Sequence, residues 1–373
     1  MNKTLRIVVP GVAAAAMAVS LTACGSSSPS STSSTPAAGG STGATSSSGT
    51  LSVGGSSAQK VAQGQWITDF QKANSGVTIN YNPVGSGAGR TSFYAGQYPF
   101  AASDSFINPT KKPADYASAK AACQGADPIE VPVYVSPIAV VFNLKGVSSL
   151  NLDAATIAKI FSGKITKWND PAIAALNSGA TLPSTAIQPV HRSDASGTTN
   201  NFTDYLVKAA GSAWNYAAAD TFPISSGLSG KGTSGVVTTT QGTDGAIAYV
   251  DASQAGGFGV VNVKVAGSYV TPSATAAAAD LADSKLSSVA KTGQLVYSVD
   301  RTPTNTSDYP ILLVSYVIAC PSYKDASTAA LVKNYLSFIL TDAEQAAAAN
   351  AAGSAAVPSS IAAQAAKIVA GIK

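Results

Sequence analysis

Short runs of β-prone residues, each followed by a small polar turn, recur along this chain. After the first run, apolar residues return at helical spacing from Ala58 to Phe70, and Ser57 stands where the N-cap of that helix is expected. The four runs and their turns are residues 51–53 with 54–57, 77–81 with 85–89, 98–102 with 103–105, and 187–190 with 192–199. Alternating strands and helices predict an α/β fold with mostly parallel pairing, in which ligands bind at the carboxyl ends of the strands.

The length of the chain after Leu51 predicts two lobes. This part of the 373-residue chain is too long for one simple core, because single cores stop growing at roughly 250 to 300 residues. Two long β-prone runs, residues 131–142 and 311–320, are the predicted crossings between the lobes. We therefore predict that residues 51–132 plus 311–373 form lobe one and that residues 133–310 form lobe two.

The N-terminus has the pattern of an export signal. Lys3 and Arg6 precede an apolar run over residues 7–21 that is too short for a permanent membrane span, which predicts a signal peptide over residues 1–23. The signal ends Leu-Thr-Ala-Cys at Cys24 and resembles a bacterial lipobox, whose cysteine is lipidated; ordinary cleavage that leaves a free cysteine is the alternative. After Cys24, residues 25–50 are all Ser, Thr, Gly, Ala or Pro, so residues 24–50 are predicted to be the lipidated cysteine and its tether. The folded part is expected to be anchored by lipid to the outer face of the cell membrane.

The charge balance and the small numbers of histidine and cysteine argue against several classes of function. Removing Lys3 and Arg6 with the signal leaves 23 − 2 = 21 basic residues against 19 acidic ones, a balance unlike that of a nucleic-acid-binding protein. One histidine, His191, and no Cys/His cluster at ligand spacing predict no metal site, and no cofactor is expected. Cys123 and Cys320 would lie in an oxidising compartment and could pair; two buried, inert thiols are the alternative.

The small polar turns have the chemistry of an anion site. The first N–H groups of a helix lack intrahelical acceptors and carry partial positive charge, and Ser, Thr and Gly let an anion approach them. Arg192 adds a planar fork of donors that matches two oxygens of a tetrahedral anion, and Asp194 could hold that fork in place. Asp104 is informative, because a carboxylate repels an anion unless the anion has a proton to donate. Hydrogen phosphate has such a proton and sulfate does not; a helix cap is the alternative role for Asp104.

Several longer strings resemble the phosphate-binding proteins of high-affinity phosphate ABC importers. They are Gly-Ser-x-x-Gly at 85–89, Ala-Ser-Asp at 102–104, Ser-Gly-Lys-Ile-x-x-Trp at 162–168, Arg-x-Asp-x-Ser-Gly-Thr at 192–198 and Gly-Ala-Ile-Ala-Tyr-Val at 245–250. The resemblance extends from about Leu51 to the C-terminus. It implies a periplasmic-binding-protein architecture of type II, with two crossings between lobes that close over dehydrated phosphate.

The resemblance also implies a set of binding residues. They are Ser57, the backbone of Ala58, Ser86, Asp104, Arg192, Ser196, Gly197 and Thr198, with Ser56 as a further candidate in the first turn and Asp194 behind the guanidinium. Many members have a bulky apolar residue where Ala58 stands, so affinity would fall if that side chain excludes water. Trp168 is expected to be structural or to face the permease.

The implied function is delivery of phosphate rather than its transformation. The expected partners are inorganic phosphate, the permease and ATPase subunits of an ABC importer, and the membrane through the lipid; the protein is expected to be a monomer. One alternative is a receptor for another tetrahedral oxyanion such as sulfate. The other is a secreted phosphate-ester hydrolase built on Ser196, His191 and Asp194. These three lie within six residues, whereas catalytic triads are usually assembled from separate loops, so His191 is expected to be a packing residue and the chain not to be an enzyme.

Overall fold

The computed structural model describes residues 48–373. The predicted signal peptide, Cys24 and the tether as far as residue 47 lie outside the described residues. Within residues 48–373, no helix combines the length and apolar character that crossing a membrane requires.

Strands and helices alternate through most of the described chain. The strands are β1 (Gly49–Gly55), β2 (Val77–Asn82), β3 (Phe100–Ser103), β4 (Ile129–Asn143), β5 (Ser149–Leu152), β6 (Gln188–Arg192), β7 (Leu228–Gly230), β8 (Ala246–Asp251), β9 (Gly259–Val265), β10 (Ser268–Val270), β11 (Lys285–Leu286), β12 (Tyr297–Ser298) and β13 (Leu312–Ala319). The α-helices are α1 (Lys60–Ala73), α2 (Ser86–Tyr94), α3 (Pro113–Ala122), α4 (Ala154–Phe161), α5 (Pro171–Leu176), α6 (Gly197–Ala209), α7 (Gly232–Gln241), α8 (Ala274–Asp283), α9 (Ala326–Ile339), α10 (Asp342–Ala352) and α11 (Ser359–Ala370). The short segments Gly211–Ala213 and Ala252–Gln254 are 3-10 helices.

One mixed sheet runs through the described part of the chain in the order β2-β1-β3-β13-β4-β8-β6-β7. β1 is parallel to β2 and β3, and β6 is parallel to β7 and β8. Between these outer groups, β13 is antiparallel to β3 and β4, and β4 is antiparallel to β8. The predicted α/β class is therefore confirmed, but within this strand order parallel pairing occurs only in the two outer groups; outside it, β5 is parallel to β9.

The 15-residue strand β4 connects the two outer groups. Its residues from Ile129 to Pro137 pair with β13, and those from Ile138 to Asn143 pair with β8. All but the last residue are buried, as expected of a strand covered on both faces. We call the part built on β1, β2, β3 and β13 lobe one, and the part built on β6, β7 and β8 lobe two.

A segment that precedes β13 packs against the centre of the sheet. Ala277 and Leu281 of α8 lie in one buried cluster with Val135 of β4 and Val314 of β13. The same cluster includes Val296, close to β12. The residue boundaries of the two lobes remain a prediction.

Helix α1 forms where the apolar spacing predicts, but it begins later than expected. Ala62, Trp66 and Phe70 are its buried apolar residues. The residue at the N-cap is Gln59, whose side chain caps nothing, so the prediction that Ser57 is the N-cap is wrong. In this turn the Ser56 hydroxyl accepts hydrogen bonds instead, from the backbone N–H groups of residues 58 and 59 at 3.1 and 3.2 Å.

A disulfide joins two parts of lobe one that are distant in sequence. Cys123 follows α3, Cys320 follows β13, and their sulfur atoms are bonded across 197 residues of sequence. Both lie in a buried cluster with Phe93 and Ile318. The bond therefore connects the N-terminal part of lobe one to the strand by which the chain returns.

Candidate functional site

Turns from both lobes converge on the carboxylate of Asp104. The parallel register places the ends of β1 and β3 side by side, with Gly55 opposite Ala102, so the turn after β1 lies next to Asp104. The backbone N–H of Asp104 donates to the hydroxyl of Ser86 at 3.1 Å, at the start of α2. From lobe two, the start of α6 reaches the same carboxylate through Thr198.

Four hydroxyl groups donate to this carboxylate. Ser56 and Ser315 both donate to Oδ1, the latter at 2.6 Å. Thr198 and Ser86 donate to Oδ2 over the longer distances of 3.1 and 3.4 Å. Asp104 is only 2% exposed, and a buried carboxylate is tolerated when donors replace its water. This carboxylate is thus compensated by hydroxyl dipoles rather than by a cation.

The N-terminus of α6 has the features of an anion-binding turn. Ser196 is its N-cap and accepts the N–H of Thr199 at 3.2 Å. A Cβ atom on Gly197 would lie 2.8 Å from backbone and side-chain atoms of Asp104, so only glycine allows this close approach. The N–H groups of Gly197 and Thr198 belong to the first turn, where no intrahelical acceptor is within reach. An anion next to Asp104 would meet them directly.

Arg192 ends β6 and is held in place by Asp194. Its Nε and Nη2 donate to Oδ1 and Oδ2 of Asp194 at 2.8 and 2.6 Å, and neither bond uses Nη1. Burial alone would raise the pKa of Asp194, but the Arg192 guanidinium outweighs burial and lowers that pKa below its usual value. The backbone N–H of Gly232 also donates to Asp194, at 3.0 Å. Asp194 therefore fixes the Arg192 guanidinium, and a part for the pair in anion binding stays a prediction.

The two serines of the first turn have different contacts. Ser56 donates to Asp104, whereas the Ser57 hydroxyl lies 3.0 Å from Thr233 Oγ1 and accepts the Thr233 N–H at 3.1 Å. Ser57 thus links lobe one to the N-terminus of α7 in lobe two. The N–H of Ala58 is directed at Ser56 Oγ, and its side chain is fully buried.

The predicted site residues are brought together and enclosed. Ser56, Ser57, Ala58, Ser86, Asp104, Arg192, Ser196 and Thr198 are each between 0% and 5% exposed. A cavity of about 380 Å³ has Asp104 in its wall, together with Ser105, Asn201 and Arg301. The other seven of these predicted site residues do not border that cavity. The arrangement is that of a closed cleft rather than an open pocket.

Two residues of the site were missed by the sequence reasoning. Ser315 lies in the middle of β13 and is fully buried; a lone serine in the apolar run 311–320 was the signal that could have found it. Thr233 follows β7 in the turn Gly-Lys-Gly-Thr at 230–233, which repeats the pattern of a strand, a small polar turn and a helix.

Charged side chains join the lobes beside the site. Arg90 of α2 and Lys112 in lobe one both pair with Asp220 in lobe two. The side chains of Arg90 and Asp220 are 5% and 9% exposed, and that of Lys112 is 29% exposed. Burial would raise the pKa of Asp220, but the two cations outweigh it and hold that pKa below its usual value. Nearby, the Gly87 N–H donates to the Ala195 carbonyl at 3.0 Å, which closes the gap between the lobes with backbone atoms.

Two further sequence predictions concern single aromatic residues. His191 stacks on Phe222 with ring centroids 4.7 Å apart, and its Nδ1 lies 3.0 Å from the Arg192 carbonyl oxygen, which is the packing role that was expected. Trp168 is fully buried against Phe142, and its Nε1 donates to the Gly245 carbonyl at 3.1 Å. Of its two expected roles, these contacts favour the structural one.

Known proteins resemble this chain in sequence. A family model described as a PBP superfamily domain matches residues 40–343. Phosphate-binding protein PstS2 of Mycobacterium bovis (strain BCG / Pasteur 1173P2) is 38% identical over 323 residues, which cover 85% of each chain. Phosphate-binding protein PstS of Xylella fastidiosa (strain 9a5c) is 33% identical over 274 residues, which cover 70% of each chain.

Solved structures share the fold. One is a high-affinity periplasmic phosphate-binding protein, PfluDING, bound with phosphate at pH 8.5; it is 22% identical, covers 85% of this chain and 92% of its own, and has a TM-score of 0.68. Another is the phosphate-binding protein from Stenotrophomonas maltophilia, which is 20% identical, covers 86% of this chain and 93% of its own, and has a TM-score of 0.67. At these identities the likeness establishes the α/β fold with two lobes and nothing finer.

Proposed function

We propose that this chain, which belongs to the PBP superfamily and within it to the PstS phosphate-binding proteins, binds inorganic phosphate between its two lobes. The observation that carries the proposal is the buried carboxylate of Asp104, enclosed by hydroxyl donors where turns from both lobes converge. A carboxylate in this position suits an anion that brings its own proton, and the names of the relatives state that they bind phosphate.

The contacts suggest how the anion is held. Thr198 and Ser86 make the longer bonds to Asp104, so their hydroxyls are the donors most readily transferred to a ligand. The N–H groups at the start of α6 supply further donors with partial positive charge. Arg192, held by Asp194, presents Nη1, which those two bonds leave unused. Ser196 supports this binding by capping α6, and Ser57 by joining the lobes.

Asp104 accounts for selectivity in this proposal. Hydrogen phosphate donates its proton to the carboxylate, whereas sulfate has none and would place a bare oxygen against it. A site built around a hydroxyl of its ligand typically rejects the analogue that lacks it by about 10⁴ to 10⁵, because the buried acceptor stays unpaired.

The same proposal includes delivery to a membrane importer. We propose that the protein is an exported receptor, anchored through lipid on Cys24, which as a monomer hands phosphate to the permease and ATPase subunits of an ABC importer without transforming it. Support comes from the signal-like N-terminus and from the names of its relatives. Replacement of Cys24 by Ser should release the protein from membranes and leave its phosphate affinity unchanged.

Calorimetric titration of the purified chain with phosphate, arsenate and sulfate tests the proposed function. Phosphate and arsenate, which share the ionisable proton, should bind tightly, and sulfate should bind weaker by about 10⁴ or more. Equal affinity for sulfate would favour the receptor for another oxyanion. Steady turnover of a chromogenic phosphate ester would instead favour the hydrolase and overturn the receptor.

A further inference from the structure

A chain of buried polar side chains leads from Asp104 into the interior of lobe one. The Tyr335 hydroxyl donates to Gln63 Oε1 at 2.7 Å, and Gln63 Nε2 donates to Gln59 Oε1 at 2.7 Å. Gln59 Nε2 donates in turn to Ser315 Oγ at 2.7 Å, and Ser315 donates to Asp104 Oδ1 at 2.6 Å. The first four members of this relay, Tyr335, Gln63, Gln59 and Ser315, are each 0% exposed.

The chemistry of its ends dictates the direction of the relay. An ionised carboxylate only accepts hydrogen bonds, so Ser315 must give its single proton to Asp104. The Ser315 oxygen then accepts a hydrogen bond from Gln59 Nε2. This leaves Gln59 Oε1 to accept from Gln63 Nε2, so the orientation of both glutamine amides is fixed. Tyr335 must therefore donate at the far end, and burial suits it to this, because burial raises the pKa of its phenol well above the usual value and keeps the group protonated.

Two buried glutamines on one helix face are an unusual choice for a core. Gln59 and Gln63 are one turn apart, at the N-cap and in the first turn of α1, a helix that otherwise buries Ala62, Trp66 and Phe70. Burial of an amide costs free energy unless its groups are paired, so apolar residues would serve packing alone more simply. The pairing of these amides toward Asp104 indicates a role at that carboxylate.

The relay decides which oxygen of Asp104 is available to a ligand. Oδ1 receives Ser315 and Ser56, and these two donors occupy both of its lone pairs. Oδ2 receives only the longer bonds from Thr198, in the first turn of α6, and from Ser86, at the start of α2. When Thr198 and Ser86 donate to the ligand instead, Oδ2 becomes free to accept the proton of the ligand, whereas Oδ1 stays occupied.

We infer that Ser315, Gln59, Gln63 and Tyr335 are positioning residues that hold the carboxylate of Asp104 in place, with Oδ1 occupied and Oδ2 directed at the proton of the ligand. This inference rests on the proposed phosphate function and deepens it, because it places part of the selectivity inside lobe one, on residues that do not touch the anion. Without the donor from Ser315, Oδ1 keeps only the hydrogen bond from Ser56, so the carboxylate is no longer fixed with Oδ2 toward the ligand.

Titrations at two pH values test the relay. Phosphate and sulfate are titrated calorimetrically into the wild type, Ser315→Ala and Tyr335→Phe at pH 5.5 and pH 8.5. At pH 8.5, Ser315→Ala should bind phosphate about tenfold more weakly, since a hydrogen bond to a charged group is lost. Its preference for phosphate over sulfate should be smaller than that of the wild type at both pH values, because Oδ2 is no longer held toward the proton of phosphate. Tyr335→Phe should change in the same direction by about two- to threefold, because it acts through three intervening side chains.

Tyr205→Phe is the matched control. Tyr205 is also a buried tyrosine, 1% exposed, and among the described residues its hydroxyl has no hydrogen-bond partner. Removal of that hydroxyl should leave both affinities and their pH dependence as in the wild type. Melting temperatures of all variants show whether each is folded.

The outcomes separate the inference from the proposed function. A wild type that binds phosphate, with Ser315→Ala and Tyr335→Phe keeping its preference at both pH values, would overturn the relay alone. An effect of Tyr205→Phe as large as that of Tyr335→Phe would do the same, because a general loss of packing would then explain both. A wild type that binds no phosphate at either pH would remove the proposed function and the inference with it.

Discussion

Removal of the Asp220 carboxylate is expected to weaken phosphate binding about a hundredfold without changing which anion the site prefers. Asp220 of lobe two pairs with Arg90 and Lys112 of lobe one, so the contact exists only while the lobes are together. In an open form the separated groups regain water. Asp220→Ala therefore raises the free energy of the closed form relative to the open form, because Arg90 stays buried there without the carboxylate partner of Asp220.

The magnitude follows from the burial of the partners. Removal of one member of a buried ion pair costs about 3 to 5 kcal/mol. Arg90 keeps hydrogen bonds to the hydroxyls of Ser103 and Ser105 at 2.8 and 3.1 Å, and the partly exposed Lys112 regains water, so the lower end of this range applies. About 3 kcal/mol corresponds to roughly a hundredfold in Kd. Charge alone predicts the opposite sign, because loss of a nearby negative charge should strengthen anion binding.

Titration with phosphate and arsenate, together with the dissociation rate of phosphate, measures this effect. Asp244→Ala is the control, because Asp244 is an exposed acidic residue of lobe two, so the variant makes the same change in net charge. Wild-type affinity in Asp220→Ala would refute the reasoning. A changed ratio of phosphate to arsenate would also refute it, since the ion pairs are argued to act on closure and not on recognition.

Three further predictions concern recognition and stability. Asp104→Asn should weaken phosphate binding by about tenfold or more and narrow the gap to sulfate, because an amide N–H replaces an acceptor; titration with both anions measures this, and an unchanged preference would leave Asp104 a structural role. Denatured, unreduced protein should show no free thiol from Cys123 or Cys320, and reduction should lower stability by about 5 kcal/mol in the entropic model; two titratable thiols would contradict it. Burial raises the pKa of Glu130 and of Asp280 to about 8, from ordinary values of 4.5 and 3.8. The folded state therefore holds protons that the unfolded chain releases, so the free energy of unfolding should fall between about pH 5 and pH 8. Denaturant titrations should show a shallower fall for Glu130→Gln, and stability that rises over this range would be the contrary result.

The sequence by itself determined the local elements and the residue types of the site. Strand ends, small polar turns and helix starts are set by neighbouring residues, so the pattern located the starts of α2 and α6, with Ser86 and Ser196. The pairing of Arg192 with Asp194 was predictable for the same reason, because the two are adjacent on one turn. The α/β class followed from the alternation of these elements.

Only the tertiary structure decided how these local pieces meet. Ser56 and Ser57 are adjacent and chemically alike, and only the approach of Asp104 to one and of Thr233 to the other gives them different contacts. Ser315 reaches Asp104 because β13 inserts antiparallel between β3 and β4. The pairing of β13 with β3 joins segments more than 200 residues apart, and no local pattern records it. Such contacts depend on which strands become neighbours, and that choice is made by burial of the whole apolar surface rather than by any one segment.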